Sequence, residues 1–453
     1  MKRRTFIKMS AATLATLLAG CSSSDSSTTS TTSTSTSSAA DSSGSDFSGQ
    51  ELSILVSAGW MDNRYDPTIA RFEETYGVTV DLQSISGDQY DDVLQSKLTS
   101  GTCADIFWIQ SNPFAIESVI VYPEEYCVDF TGEAWESVIP EARLDSCKVN
   151  DKLYGLQLWH NSPEYVFVYN KTLFAELGIN EAPSTYDEFM DACNTIAAAG
   201  ITPWYVPGAD GWQHQLFFFQ IGPVYEAHTP GLYDALNDNT AVFADNEKML
   251  ETLGQYKELS DAGYLGEDWI GTDSTNMTNE MSDRTTAMVC ANSSYILELQ
   301  TTGGMTDELG LFLLPFGDND YFPTNPAGPT MFGYSGTQNE DLVREFFSFV
   351  CTTESLQEIL DNSEDYTNIA ANDDAVAQNW LPEEEAFMAT ISEDKMLTAV
   401  LQTGTKYTND YWMDFGSDLV AYCQGTMEAN DVLKSMDSNR AISADVMGDE
   451  NWA

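Results

Sequence analysis

The chain has 453 residues, 71 of them acidic against 19 basic, for a net charge of −52. A surface this negative repels nucleic acid phosphates and anionic lipid headgroups, so no nucleic-acid partner is expected. Most of the acids must simply be solvated and say little about a site, whereas ten Trp and 21 Tyr supply the flat surface that gathers at cores, interfaces and carbohydrate sites.

At the start of the chain, Lys2, Arg3, Arg4 and Lys8 precede an uncharged run from Met9 to Gly20 that is too short to span a bilayer. The run ends in Leu18-Ala19-Gly20-Cys21, which resembles a bacterial lipobox, where a small residue precedes a cysteine that takes lipid on its thiol. Residues 1–20 therefore read as a lipoprotein signal and Cys21 as the lipidation site. The protein is expected on the extracytoplasmic face of the bacterial cell membrane. Arg3-Arg4-Thr5-Phe6-Ile7-Lys8 also resembles a twin-arginine signal, so Sec and twin-arginine export both stay open. Residues 21–50 are mostly Ser, Thr, Asp, Ala and Gly. They bury too little apolar surface to order themselves and read as a tether.

Structured sequence begins near Glu51 and leaves about 400 residues, more than one core usually holds, so two lobes are expected. Leu52, Ile54 and Val56 alternate as in a strand. Pro67 opens a helix that stops at Gly77, and Val78, Val80 and Leu82 form a second strand. Tyr90, Val93, Leu94 and Leu98 mark a helix stopped near Gly101, and Ile106 to Ile109 is a buried third strand. Strand–helix–strand–helix–strand is a doubly wound α/β pattern, in which ligands bind beyond the carboxyl ends of the strands. Those ends are Ser57 to Asp62 and Gln110 to Pro113.

A second unit starts around Val166, with a strand to Tyr169. Thr185 and Glu188 form a capping box for a helix ending at Gly200. Further helices are expected over Val242 to Gly263, Leu342 to Leu360 (as one or two) and Asp418 to Asp437, with short strands at Met288 to Ala291 and Leu311 to Leu314.

Beyond Cys21 the cysteines are Cys103, Cys127, Cys147, Cys193, Cys290, Cys351 and Cys423, with no Cys-x-x-Cys. Cys127 and Cys147 are close enough in sequence to be bridged, and buried thiols are an equal alternative. His160, His214 and His228 lack metal-ligand spacing. No hydrolase, phosphate-loop or dinucleotide motif is present, so neither cofactor, metal nor catalytic residue is expected.

Several segments in order resemble one family. Phe72-Glu73 with Tyr76-Gly77-Val78-Thr79-Val80 is one. Gly101-Thr102-Cys103-Ala104-Asp105-Ile106 is another, with Ala104 where proline is usual. Leu153-Tyr154-Gly155-Leu156, Tyr169-Asn170-Lys171, Leu177-Gly178-Ile179 and Pro183-Ser184-Thr185-Tyr186-Asp187-Glu188-Phe189 are the most specific. Thr286-Ala287-Met288 and Leu313-Leu314-Pro315-Phe316 complete the set. Together they resemble the extracellular solute-binding proteins of carbohydrate importers, the maltose-binding-protein-like group. The resemblance implies two discontinuous α/β lobes joined by a hinge, with a ligand cleft between them. One lobe would take 51–162 and 331–375, the other 163–330 and 376–453. It also implies a non-enzymatic monomer that binds a mono- or oligosaccharide and delivers it to the permease of an ABC transporter.

A sugar presents an apolar face and a rim of hydroxyls, so its site needs aromatic surface and side chains with paired polar atoms. Trp60 and Asp62 follow the first strand, and Gln110 and Ser111 end the third. Trp159 and Asn161 fall at the crossover, Asp210 and Trp212 in a Gly-rich loop, and Asn292 and Tyr295 after the Met288 strand. Trp412 matches a region near the family's C-terminus that stacks on sugar. These eleven are the expected ligand-binding residues. Trp108, inside an apolar run, is expected in the core, and Trp135, Trp204, Trp269 and Trp380 are read as structural. Two alternatives stay open: a secreted glycan-acting enzyme with a pair of carboxyl groups across a cleft, and the same fold binding a polyamine or other small solute.

Overall fold

The computed structural model describes residues 46–111, 122–158, 163–324, 328–363, 366–372, 374–397, 400–408 and 411–452. The expected signal, Cys21 and all but the last residues of the expected tether lie outside them, as do Trp159, His160 and Asn161.

The architecture is two α/β lobes, each with its own sheet and core. In the first sheet the spatial order is Thr79–Ile85, Glu51–Ser57, Ile106–Ser111, Gly328–Gly333 and Gly155–Leu156. The first three strands run parallel. Glu51–Ser57 lies inside this group and is buried on both faces from Ile54 to Ser57, as a covered parallel strand must be. Gly328–Gly333 enters antiparallel to both neighbours, pairing Phe332 with Phe107 on one side and Gly155 on the other. Helix Asp66–Tyr76 has proline in its first turn and ends where Gly77 takes a left-handed conformation, φ 65°. It turns Phe72 onto Phe346 and Phe349, with ring centroids 5.0 and 5.2 Å away. Helix Gly87–Ser100 buries Tyr90, Leu94 and Leu98.

The second sheet is ordered Leu309–Phe312, Val166–Asn170, Thr286–Ala291, Thr202–Tyr205. Val166–Asn170 is antiparallel to both neighbours, and Thr202–Tyr205 is parallel to Thr286–Ala291. Its core is dominated by rings, including Phe217 stacked on Tyr256 at 4.2 Å and 2°. The two cores draw on different stretches of chain. Leu52 to Leu158 and Met331 to Val376 supply the first, and Phe167 to Phe316 with Leu401 to Met436 supply the second.

Local details bear on three of the sequence readings. The Thr185 hydroxyl caps Tyr186–Ala198 by accepting from Glu188 N–H, and the Glu188 carboxylate also accepts from Ser184 N–H and Oγ, at 2.9 and 2.8 Å. The helix expected from Val242 begins at Glu247, because Asn246 caps it by accepting from Met249 N–H. Cys127 and Cys147 are not bridged, and among the described cysteines there is no disulfide. Among the described residues no helix is long and apolar enough to cross a membrane.

Candidate functional site

On the first lobe, the turn after Glu51–Ser57 is closed by Trp60 N–H donating to Ser57 O at 3.1 Å. The Trp60 ring is half-buried and stands edge-on to Tyr90, centroids 5.4 Å apart. The Tyr90 hydroxyl in turn accepts from Trp108 N–H at 3.1 Å, so the mouths of two parallel strands are tied at one corner. Asp62 caps the short turn Asn63–Tyr65, accepting from Arg64 N–H at 3.0 Å and from Arg64 Nε and Nη2 at 2.7 Å each. The Arg64 guanidinium is buried and lies 4.1 Å from the ring centroid of Tyr366. Burial works to lower its pKa, yet Tyr366, Asp62 and Tyr65 leave it raised. Gln110 is half-buried near the end of its strand, and Ser111 is the strand's last residue. Trp108 is only 2% exposed and belongs to the core.

On the second lobe, Asp210 accepts from Ser274 N–H at 3.1 Å. Trp212 is half-buried and edge-on to Tyr165, centroids 6.1 Å apart. The next three residues, Gln213–Gln215, form a 3-10 turn. Gln213 Oε1 and both amide atoms of Gln215 are buried without a partner among the described residues. His214 Nε2 bonds Gly416 O at 2.7 Å, and burial holds the imidazole below its ordinary pKa against that bond. Helix Trp412–Cys423 begins at Trp412. Asn292 Oδ1 is also buried without a partner among the described residues. Tyr295 N–H donates to Asn292 O at 3.0 Å, and the Tyr295 hydroxyl is 2.8 Å from Thr278 Oγ1.

The expected residues thus fall into local groups. Trp60, Asp62 and Gln110 share the mouth of the first sheet. Asp210 and Trp212 share one loop, which packs on the helix that begins at Trp412. Asn292 and Tyr295 share the loop after Thr286–Ala291. Trp159 and Asn161 lie outside the described residues. Sequence reasoning missed Arg64 as the partner of Asp62, and Gln215 as a buried amide. The spacing Asp62-x-Arg64 and the polar run after Trp212 were the available signals. Buried carbonyl oxygens without donors are costly, and a ligand hydroxyl or a water could satisfy them.

The sequence profile described as bacterial extracellular solute-binding protein matches residues 59–356. The chain belongs to this family. Its members are binding proteins rather than enzymes and work outside the cytoplasm. This solute-binding protein is 24% identical over 274 residues to the multiple sugar-binding protein of Streptococcus mutans, a match covering 59% of this chain and 63% of that protein. It is 24% identical over 306 residues to the erythritol/L-threitol-binding protein of Mycolicibacterium smegmatis, covering 61% of each chain. The matches therefore span less than two thirds of either relative. Among solved structures, a chitin oligosaccharide binding protein superposes with a TM-score of 0.71 at 18% identity, covering 87% of this chain and 99% of that one. The galacto-N-biose/lacto-N-biose I-binding protein of the ABC transporter from Bifidobacterium longum gives 0.62 at 16%, covering 88% and 98%. These likenesses establish the fold.

Proposed function

We propose that this solute-binding protein captures a carbohydrate between its lobes and delivers it to the permease of an ABC transporter. The observation that carries the reading is the pairing of half-buried tryptophan with buried carbonyl oxygens that have no partner among the described residues. Trp212 is followed directly by Gln213 Oε1, and Asn292 Oδ1 lies just after strand Thr286–Ala291 of the second sheet. An acceptor of this kind calls for a donor, and a sugar offers hydroxyls beside an apolar ring face. Trp60 with Asp62 and Gln110 supplies the matching set on the first lobe. The sugars that the named relatives and structural neighbours bind support the same ligand class.

The lobes take 51–162 and 331–375, and 163–330 and 376–453, and the pairing of Gly328–Gly333 in the first sheet supports a middle crossing before Gly328. Binding then favours a closed arrangement in which both walls touch the ligand. The protein acts as a monomer anchored through lipid on Cys21. A thermal-shift screen against mono- and oligosaccharides tests the ligand class, since a ligand at 100 times its Kd stabilises the folded form by about 2.7 kcal/mol. A saccharide should raise the melting temperature. A response to polyamines with none to any saccharide would overturn the reading.

A further inference from the structure

One fully buried carboxylate plays no part in the proposed ligand contacts. Glu384 is 0% exposed and sits in the first turn of helix Pro382–Met388. Its Oε2 accepts from Leu381 N–H at 2.9 Å, which caps its own helix. Its Oε1 does something else. It accepts from Thr367 Oγ1 at 2.9 Å and from Ser293 Oγ. Thr367 and Ser293 are themselves 1% and 0% exposed.

The three segments that meet here have different allegiances. Ile369 and Val376, just beyond Thr367, pack in the first core. Leu381, just before the Glu384 helix, packs beside Tyr295 against the apolar cluster behind the second sheet. The chain therefore passes from one lobe to the other between Val376 and Leu381, and the carboxylate bonds back across that passage. Ser293 lies in the loop that holds Asn292 and Tyr295, and its N–H donates to Pro163 O at 2.9 Å. Pro163 opens the described chain beyond the first crossing. One side of the loop is thus tied to the first crossing segment and the other, through Glu384, to the last.

We propose that Glu384 is a positioning residue that holds the Asn292–Tyr295 loop in fixed register with the crossing segments, so that movement of the lobes turns about this point. A buried carboxylate is tolerated only when donors surround it, and helix capping alone needs one donor. The two further hydroxyls come from the first-lobe segment and from the candidate ligand loop. The functional meaning rests on the carbohydrate reading above, but the bonds do not, and the test uses ligand-free protein.

Hydrogen exchange is measured on the wild type, Glu384→Ala and Glu384→Gln. In Glu384→Ala, exchange should rise about tenfold or more both at Ser293–Tyr295 and at Thr367–Ile369, because local opening no longer has to break the shared bonds. Glutamine keeps a carbonyl oxygen for the two hydroxyls, so Glu384→Gln should stay within about threefold of wild type at those amides. A residue that only caps its helix would change exchange in 382–388 and leave Ser293–Tyr295 alone, and that result overturns the proposal. If Glu384→Ala does not fold, Ser293→Ala serves in its place. It should loosen Thr367–Ile369, and unchanged exchange there would overturn the proposal equally.

Discussion

His214 Nε2 lies 2.7 Å from the carbonyl oxygen of Gly416, which sets the loop carrying Trp212 against the helix that begins at Trp412. The approach is possible because residue 416 has no side chain. A Cβ there would collide with Gly211 O and stand 3.2 Å from His214 Nε2. Two candidate aromatic positions from distant parts of the chain are thereby set on adjoining elements.

Gly416→Ala should therefore disturb both stability and site. Overpacking of this sort costs about 1–3 kcal/mol, and the displaced loop carries Trp212 with it. Melting temperature and saccharide affinity should both fall. A variant that melts and binds as the wild type does would show that the loop has slack.

His214 gives the contact a pH dependence. Its folded pKa lies below the unfolded value of about 6.5. Between the two values the unfolded chain binds more protons, so stability should fall as pH drops below about 6.5. His214→Gln retains an N–H near the Nε2 position but cannot titrate. Its loss of stability from neutral pH to the acid side should be smaller than the wild type's. Parallel curves for the two proteins would remove His214 from the account.

Trp60→Ala, Trp212→Ala and Trp412→Ala should each weaken saccharide binding by about 1–3 kcal/mol, as loss of a stacked ring does. For Trp60 and Trp212, half-buried, the stability cost should be smaller than the roughly 3–5 kcal/mol expected for a core tryptophan. Trp204, 2% exposed, is the control. Calorimetric titration beside thermal melts separates the two effects. Early unfolding of all three with normal binding in the survivors would refute the cleft assignment.

Asp62 requires a different design, because it is bound to buried Arg64. Removing the carboxylate leaves the buried guanidinium facing the Tyr366 and Tyr65 rings without its carboxylate partner, at a cost of about 3 kcal/mol or more. Asp62→Ala should thus lower the melting temperature as well as the affinity. Arg64→Met combined with Asp62→Ala should recover much of the stability and none of the binding. Recovery of binding in the double variant would mean that Asp62 touches no ligand.

Cys21→Ser should release the protein from membranes into the soluble fraction, since the tether holds no other apolar anchor. Retention in the membrane fraction after a salt wash would contradict the lipid reading.

The parallel start of the first lobe was legible because local signals agree there: Leu52, Ile54 and Val56 alternate, Pro67 opens a helix and Gly77 ends it. The antiparallel return of Gly328–Gly333 was not legible. Its partners are fixed by tertiary packing, with Phe332 stacked on Phe107 at 5.6 Å, and nothing in Gly-Pro-Thr-Met-Phe-Gly names them. The candidate groups at the strand mouths could be named from chain order. Their partners could not. Arg64 is two residues from Asp62, yet only burial makes the pair exclusive. Glu384 sits in Pro382-Glu383-Glu384-Glu385, one of 71 acids, and only the fold distinguishes it from its solvated neighbours. Val242 was misjudged as a helix start because the helix begins only after Asn246, whose side chain caps it by accepting from Met249 N–H.

The place of Gly328–Gly333 between Ile106–Ser111 and Gly155–Leu156 has a consequence for how the chain acquires its structure. Synthesis delivers the whole second sheet, Val166 to Phe312, before this strand leaves the ribosome. Until then Ile106–Ser111 carries an open edge and Gly155–Leu156 has no partner in its sheet. Closing that gap joins residues far apart in sequence, a slow step compared with local pairing. The first sheet's edge thus stays open while the strands of the second sheet are already made, although the second core still awaits Leu401 to Met436. Aggregation during refolding should begin at that edge, and a peptide of sequence Gly-Pro-Thr-Met-Phe-Gly is the natural competitor for it.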